Sequence, residues 1–228
     1  MKRMKVATVG LCTLTLVGVG CSTKTGTGAL IGTGSGTAVG AIIGAIAGNT
    51  AVGAAIGAAV GAGTGALIGK HMDKVAAETA AQVKNAKVEE VTDANGLKAV
   101  KVTFDNGILF NVGKYALQAN AKNELAKFST ILKNNADCQV DIQGYASSDG
   151  SDEVNQVLSE NRAKAVKNYL VSTCGVPSSQ IKNATGFGET NLVTNADGTE
   201  NVKASRRVEV YLYASQAMIE KANNGKLN

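Results

Sequence analysis

The chain has 228 residues, 44% of them hydrophobic but only 4% aromatic, with no tryptophan and a single histidine, His71. So few rings argue against stacking platforms for bases or sugars, and one histidine leaves no Ser-His-Asp or Cys-His arrangement to build. The formal charge of +5 is no case for nucleic acid either, because that needs a concentrated basic face.

The chain opens with Met1-Lys2-Arg3-Met4-Lys5 and runs uncharged to Gly20. A basic start, a short apolar run and small residues read as a secretory signal over residues 1–20. Val17-Gly18-Val19-Gly20-Cys21 resembles a lipobox, with Cys21 as the first mature residue and Gly18 where leucine is commoner. Lipid on Cys21 adds about 0.8 kcal/mol of anchoring per buried methylene. Cleavage removes Lys2, Arg3 and Lys5, leaving 20 basic against 18 acidic residues, a net of +2.

Residues 21–69 form the second segment, and from Thr25 to Gly69 it carries no charge. Glycine recurs at every fourth position from Gly28 to Gly48 and from Gly53 to Gly69, and Thr-Gly-Ala-Leu-Ile-Gly occurs at residues 27–32 and 64–69. The pattern predicts two helices joined at Gly48-Asn49-Thr50. In water each interior glycine costs about 1 kcal/mol against alanine, whereas in lipid small residues let helices approach closely. Each arm of about 20 residues reaches ~30 Å, enough to cross a bilayer. A membrane hairpin returns the chain to the side of Cys21. A low-complexity tether and a helical pair that assembles with other copies are the alternatives.

Residues 70–98 read as a linker helix, with Met72, Val75, Ala76, Thr79 and Val83 on one face, followed by the start of a hairpin. Asp93-Ala94-Asn95-Gly96 between two alternating runs marks the turn. Residues 99–214 then predict a helix over 120–133, a strand over 140–145, a helix over about 152–172, a strand over 180–186 and a last strand over 207–213. The order is βαβαββ-like: an α/β fold of the α+β sandwich kind, of about 115 residues, enough for one core. Residues 215–228 read as a polar, partly helical tail.

Within the third helix, Leu158, Arg162, Val166 and Leu170 fall on one stripe at multiples of four. A guanidinium inside an apolar stripe is costly unless it is paired or meets an anion. Asn155-x2-Leu158-Ser159-x2-Arg162-Ala163-x2-Val166-x3-Leu170 resembles the peptidoglycan-association motif of the OmpA-like C-terminal domain family. The resemblance runs from about Val100 to Tyr213. It includes Ile108-Leu109-Phe110, Gly144-Tyr145, Gly186-Phe187-Gly188-Glu189 and Arg206-Arg207-Val208-Glu209-Val210.

The resemblance implies binding of the diaminopimelate in the peptidoglycan stem peptide, with Arg162 at its carboxylate and Asn155 and Leu158 along the groove. The family aspartate that faces the ammonium falls on Ser147. Serine accepts a hydrogen bond but does not neutralise a cation, a loss of ~1–3 kcal/mol. Three outcomes stand open: Asp149 substitutes, the ligand differs, or binding is lost. A structural ion pair of Arg162 with Asp141 or a loop acid is the bland reading. Of the arginine pair, Arg206 is favoured as the groove residue, since it shares a face with Val208 and Val210.

No zinc-like spacing and no dinucleotide loop occurs, and the acids Asp149, Asp152 and Glu153 bunch on a loop and helix start. No catalytic, metal or cofactor site is expected. If Cys12 leaves with the signal and Cys21 is lipidated, Cys138 and Cys174 remain. A disulfide between them closes a loop of 37 residues, worth ~3–4 kcal/mol. The combined expectation is a non-enzymatic outer-membrane lipoprotein whose periplasmic domain tethers the membrane to peptidoglycan. Its partners are peptidoglycan, outer-membrane lipid and, through the glycine zipper, further copies of itself. The alternative is a membrane-assembling zipper protein whose domain has lost or altered wall binding.

Overall fold

The computed structural model describes residues 62–93 and 95–227. The expected signal segment, Cys21 and the glycine repeat as far as Gly61 lie outside the described residues.

Helix α1, Ala62–Gln82, places Ile68, Met72 and Val75 on one stripe, all buried, and Val83 follows it into the core. This stripe packs on strands β1, Ala86–Thr92, and β2, Lys98–Asp105. The second Thr-Gly-Ala-Leu-Ile-Gly copy therefore belongs to the globular part, not to a membrane arm ending at Gly69. Residues 70–82 are likewise a docked helix and not a linker. The reason is apolar spacing: the stripe that begins at Met72 extends back one turn to Ile68 and finds a sheet to cover. No described helix is long and apolar enough to cross a membrane.

Strand β1 pairs with β2 in antiparallel register from Ala86↔Phe104 to Thr92↔Lys98, so the hairpin crosses the boundary expected at residue 98. Asp93 Oδ1 closes its turn, accepting from the backbone N–H groups of Asn95 at 2.8 Å and Leu97 at 2.9 Å. A short helical turn, Asn106–Leu109, leads to helix α2, Ala119–Asn134. Strand β3, Cys138–Tyr145, is followed by helix α3, Asp152–Asn168, a wide turn over Tyr169–Thr173, and strand β4, Ile181–Gly186. Strand β5, Arg207–Ala214, and helix α4, Gln216–Asn223, complete the chain.

The sheet order is β1-β2-β5-β3-β4, with β3 and β4 parallel across α3 and the other neighbours antiparallel. The expected βαβαββ order holds from β2 to β5. Alternation sorts the strands. Val100, Val102, Phe104, Val140, Ile142, Val208, Val210 and Leu212 share the main core. Asp141, Gln143, Arg207, Glu209, Tyr211 and Tyr213 take the alternate positions and are also buried.

The C-terminal segment is more than a polar tail. Ser215 caps α4, its Oγ accepting from Met218 N at 3.1 Å, and Met218, Ile219 and Ala222 are buried in the main core. Helix α4 packs on α1, and Thr64 Oγ1 donates to Asn223 Oδ1 at 2.5 Å.

The expected disulfide is not formed: Cys138 and Cys174 are both free. Cys138 points into the core, 3.9 Å from Met72 Sδ on α1. Cys174 closes the turn after α3, where its carbonyl accepts from Lys133 Nζ at 3.0 Å. Loop length speaks to entropy alone: the Cys138 thiol faces Met72, whereas the Cys174 side chain meets Tyr169.

Candidate functional site

The loop after β3 and the start of α3 are shaped locally. Ser151 caps α3 by accepting from Val154 N, and Asp152 and Glu153 in the first turn complement the positive helix end. Helix α3 lies close on β3 and β4 because two glycines make room. A Cβ on Gly144 would stand 2.2 Å from Ser159 O, and one on Gly186 2.2 Å from Glu160 N.

That packing brings all six expected groove residues together. Ser147, Asp149, Asn155, Leu158, Arg162 and Arg206 line one groove of about 500 Å³, closed on its other side by Asn106, Phe110 and Val112. Val166 and Leu170 on the same stripe enter the core, and Arg162 is 2% exposed.

Arg162 meets only neutral groups. Its Nε donates to Lys114 O at 3.0 Å. The Asn106 carboxamide, with its oxygen turned to the guanidinium, accepts from Nη1 and Nη2, both at 3.1 Å. The guanidinium carbon lies 5.5 Å from the Phe110 ring centroid. Among the described residues no carboxylate pairs with it. Burial lowers its pKa to about 10, and the positive charge of Arg206 pushes the same way. The expected alternative, a pair with Asp141, is not formed. Asp141 accepts instead from Asn183 Nδ2 at 2.9 Å and Tyr213 OH at 3.2 Å.

The opposite end of the groove is occupied by a second arginine. Arg206 Nε donates to Ser147 Oγ at 2.9 Å, and its Nη2 forms an ion pair with Asp149. Ser147 in turn donates to Asp149 at 3.3 Å. So Asp149 does reach the groove, but as the partner of Arg206. Asn155 braces this loop: its Nδ2 donates to Ser147 O at 3.1 Å and to Glu189 Oε2 at 2.8 Å.

Arg207 faces the other way, over the Tyr145 ring at 4.0 Å from its centroid. Its Nε donates to Glu209 at 2.7 Å, and its Nη1 holds the backbone of Asn191 at 3.1 Å. This anchors the Gly144-Tyr145 strand end beneath the groove. Asn106 and the Lys114 carbonyl, which hold Arg162, are among the groove contributors that the sequence pattern does not mark. Only the Asp105-Asn106-Gly107 turn hinted at them, with Asp105 Oδ1 accepting from Gly107 N at 2.8 Å.

The described residues hold no cluster of His, Cys, Asp and Glu suited to a metal ion. What the groove offers is a buried guanidinium at one end, an arginine–carboxylate pair at the other, and apolar walls from Phe110, Val112 and Leu158.

The sequence model of the OmpA family matches residues 109–207, and that of the YMGG-like Gly-zipper matches residues 1–73. Outer membrane porin F of Pseudomonas aeruginosa is 32% identical over 124 residues, covering 54% of this chain and 35% of that protein. Outer membrane protein A of Serratia marcescens is 38% identical over 109 residues, covering 46% of this chain and 30% of that protein. The chain thus spans about a third of the length of these two relatives. Among solved structures, a MotB-like protein from Desulfovibrio vulgaris superposes with a TM-score of 0.55 over 66% of this chain and 99% of its own, at 19% identity, a likeness of fold. Residues 109–207, which include Asn155, Leu158, Arg162 and Arg206 of the groove, are thus the part of the chain that is similar to the OmpA family.

Proposed function

We propose that this protein tethers the outer membrane to peptidoglycan without covalent attachment, its OmpA-family domain standing in the periplasm. The observation that carries the reading is Arg162, a cation 2% exposed and without a carboxylate partner among the described residues. Burying an unpaired charge is expensive, and a guanidinium fork suits a carboxylate bidentately. A stem-peptide carboxylate supplies that partner. Leu158 and Asn155 flank it, and Ser147, Asp149 and Arg206 receive the far end of the ligand. The protein works as a binding module and not as an enzyme.

The membrane end of the tether is lipid on Cys21, after removal of residues 1–20, with the glycine repeat as a membrane-seated and self-associating segment. The match of residues 1–73 to a Gly-zipper family supports this part. Pelleting with purified peptidoglycan tests the tether. Wild-type protein is expected in the pellet and Arg162→Ala in the supernatant; a wild type that stays soluble favours the zipper-assembly alternative.

A further inference from the structure

At the end of the groove away from Arg162 no described residue supplies a free negative charge. Of the ionised residues that line the whole groove, Arg162, Arg206 and Lys203 are positive and Asp105 and Asp149 negative, a net of +1. Both carboxylates are already paired, Asp149 with Arg206 and Asp105 with Lys203 at 3.6 Å. Ser147 Oγ, 3% exposed, accepts from Arg206 Nε. Two further acids stand behind the loop without lining the groove. Glu200 is held by Ser148 and Glu189 by Asn155.

An ammonium entering this end loses its water, meets a like charge on Arg206 and finds no unpaired carboxylate. A secondary amide asks for much less. It is neutral, carries one N–H, and is satisfied by one spare lone pair on Ser147 Oγ or on the exposed Asp149 carboxylate. Resting on the tether reading, we propose that the groove takes a diamino-acid residue whose second amine is acylated, the form that residue has in a peptide cross-link, at least as tightly as the free-amine form. Ser147 and the Arg206–Asp149 pair are then the specificity determinants, and the domain engages cross-linked wall, not only free stem peptides.

Two synthetic stem tripeptides, identical except for acetylation of the second amine of diaminopimelate, are titrated calorimetrically into the full chain in micelles. The acetylated peptide is expected to bind with equal or lower Kd. Arg206→Gln, which frees Asp149, and Ser147→Asp, which adds a carboxylate, are each expected to shift the preference toward the free amine by about tenfold. Thermal melts confirm that each variant is folded. A wild type preferring the free amine by about tenfold overturns the proposal and leaves the tether intact; so do folded variants whose preference does not move. A wild type that binds neither peptide overturns the tether reading and this one with it.

Discussion

Gly144 of β3 lies so close beneath Ser159 of α3 that a Cβ on it would stand 2.2 Å from the Ser159 carbonyl oxygen. The obstacle is helix backbone, which cannot rotate away. Gly144→Ala is therefore expected to lift α3 from the sheet and cost about 2–4 kcal/mol, as overpacked sites do. Chemical denaturation checks the loss. Because Arg162 and Leu158 ride on the same helix, the variant also loses ligand affinity in proportion to the displacement. Unchanged stability would show that the helix has room that the geometry denies it.

Helix α4 holds α1 against the sheet through Met218, Ile219 and Ala222. Met218 is fully buried, so Met218→Ala is expected to cost about 2–4 kcal/mol. Its selective effect is on α1: hydrogen exchange over residues 62–82 should quicken more than over α3. Uniform quickening would mean that α4 supports the whole core and not this contact.

Much of this was legible in advance, for identifiable reasons. The Asp93–Gly96 turn declared the hairpin through its own side-chain chemistry. Alternation placed Arg206 rather than Arg207 toward the groove, because Val208 and Val210 fix the inward face. Other features were not legible because they depend on distant partners. Ile68 and Gly69 carry the same four-residue spacing whether they face lipid or a protein core, so the end of the glycine repeat gave no warning that α1 docks on β1 and β2. The Arg206–Asp149 pair joins residues 57 positions apart. The neutral cradle of Arg162 draws on Lys114 and Asn106, which sequence pattern does not connect to it.

The Asp141 carboxyl is 4% exposed. Burial raises its pKa above the ordinary range, against the pull of its hydrogen bonds from Asn183 and Tyr213. The native state thus holds the proton more tightly than the unfolded chain, so ionisation of Asp141 destabilises the fold. That cost is absent below about pH 4, the unfolded pKa, and grows as pH rises through the folded value. Asp141→Asn is expected to be neutral or up to about 1 kcal/mol stabilising at pH 7, with the advantage shrinking toward pH 3. Melting temperatures across that range check it; an advantage that grows on acidification would reverse the sign.

Burial pushes the Cys138 thiol up to about 12, with the neighbouring Asp137 charge adding to it. Cys174 is only half-buried. Alkylation without reductant is expected to label Cys174 in the native protein and Cys138 only after unfolding, because the thiolate is the reactive form. Mass spectrometry reads the result. Denatured, unreduced protein that takes no label at either position would mean that the two are disulfide-bonded and would contradict the free thiols.

The guanidinium of Arg162 is the centre of the proposed function, and methionine separates its binding role from its packing role. Arg162→Met relieves the desolvation cost of a buried cation but strands the Asn106 and Lys114 oxygens, a gain and a cost of about 1–3 kcal/mol each that oppose each other. Stability is therefore expected to change by no more than about 1 kcal/mol. Calorimetric titration of a diaminopimelate-containing stem peptide into folded wild-type and Arg162→Met protein is the direct test. Loss of a bidentate charge-assisted contact should weaken binding about a hundredfold. A folded Arg162→Met protein that binds within about threefold of wild type would contradict the assignment of Arg162 as the carboxylate site.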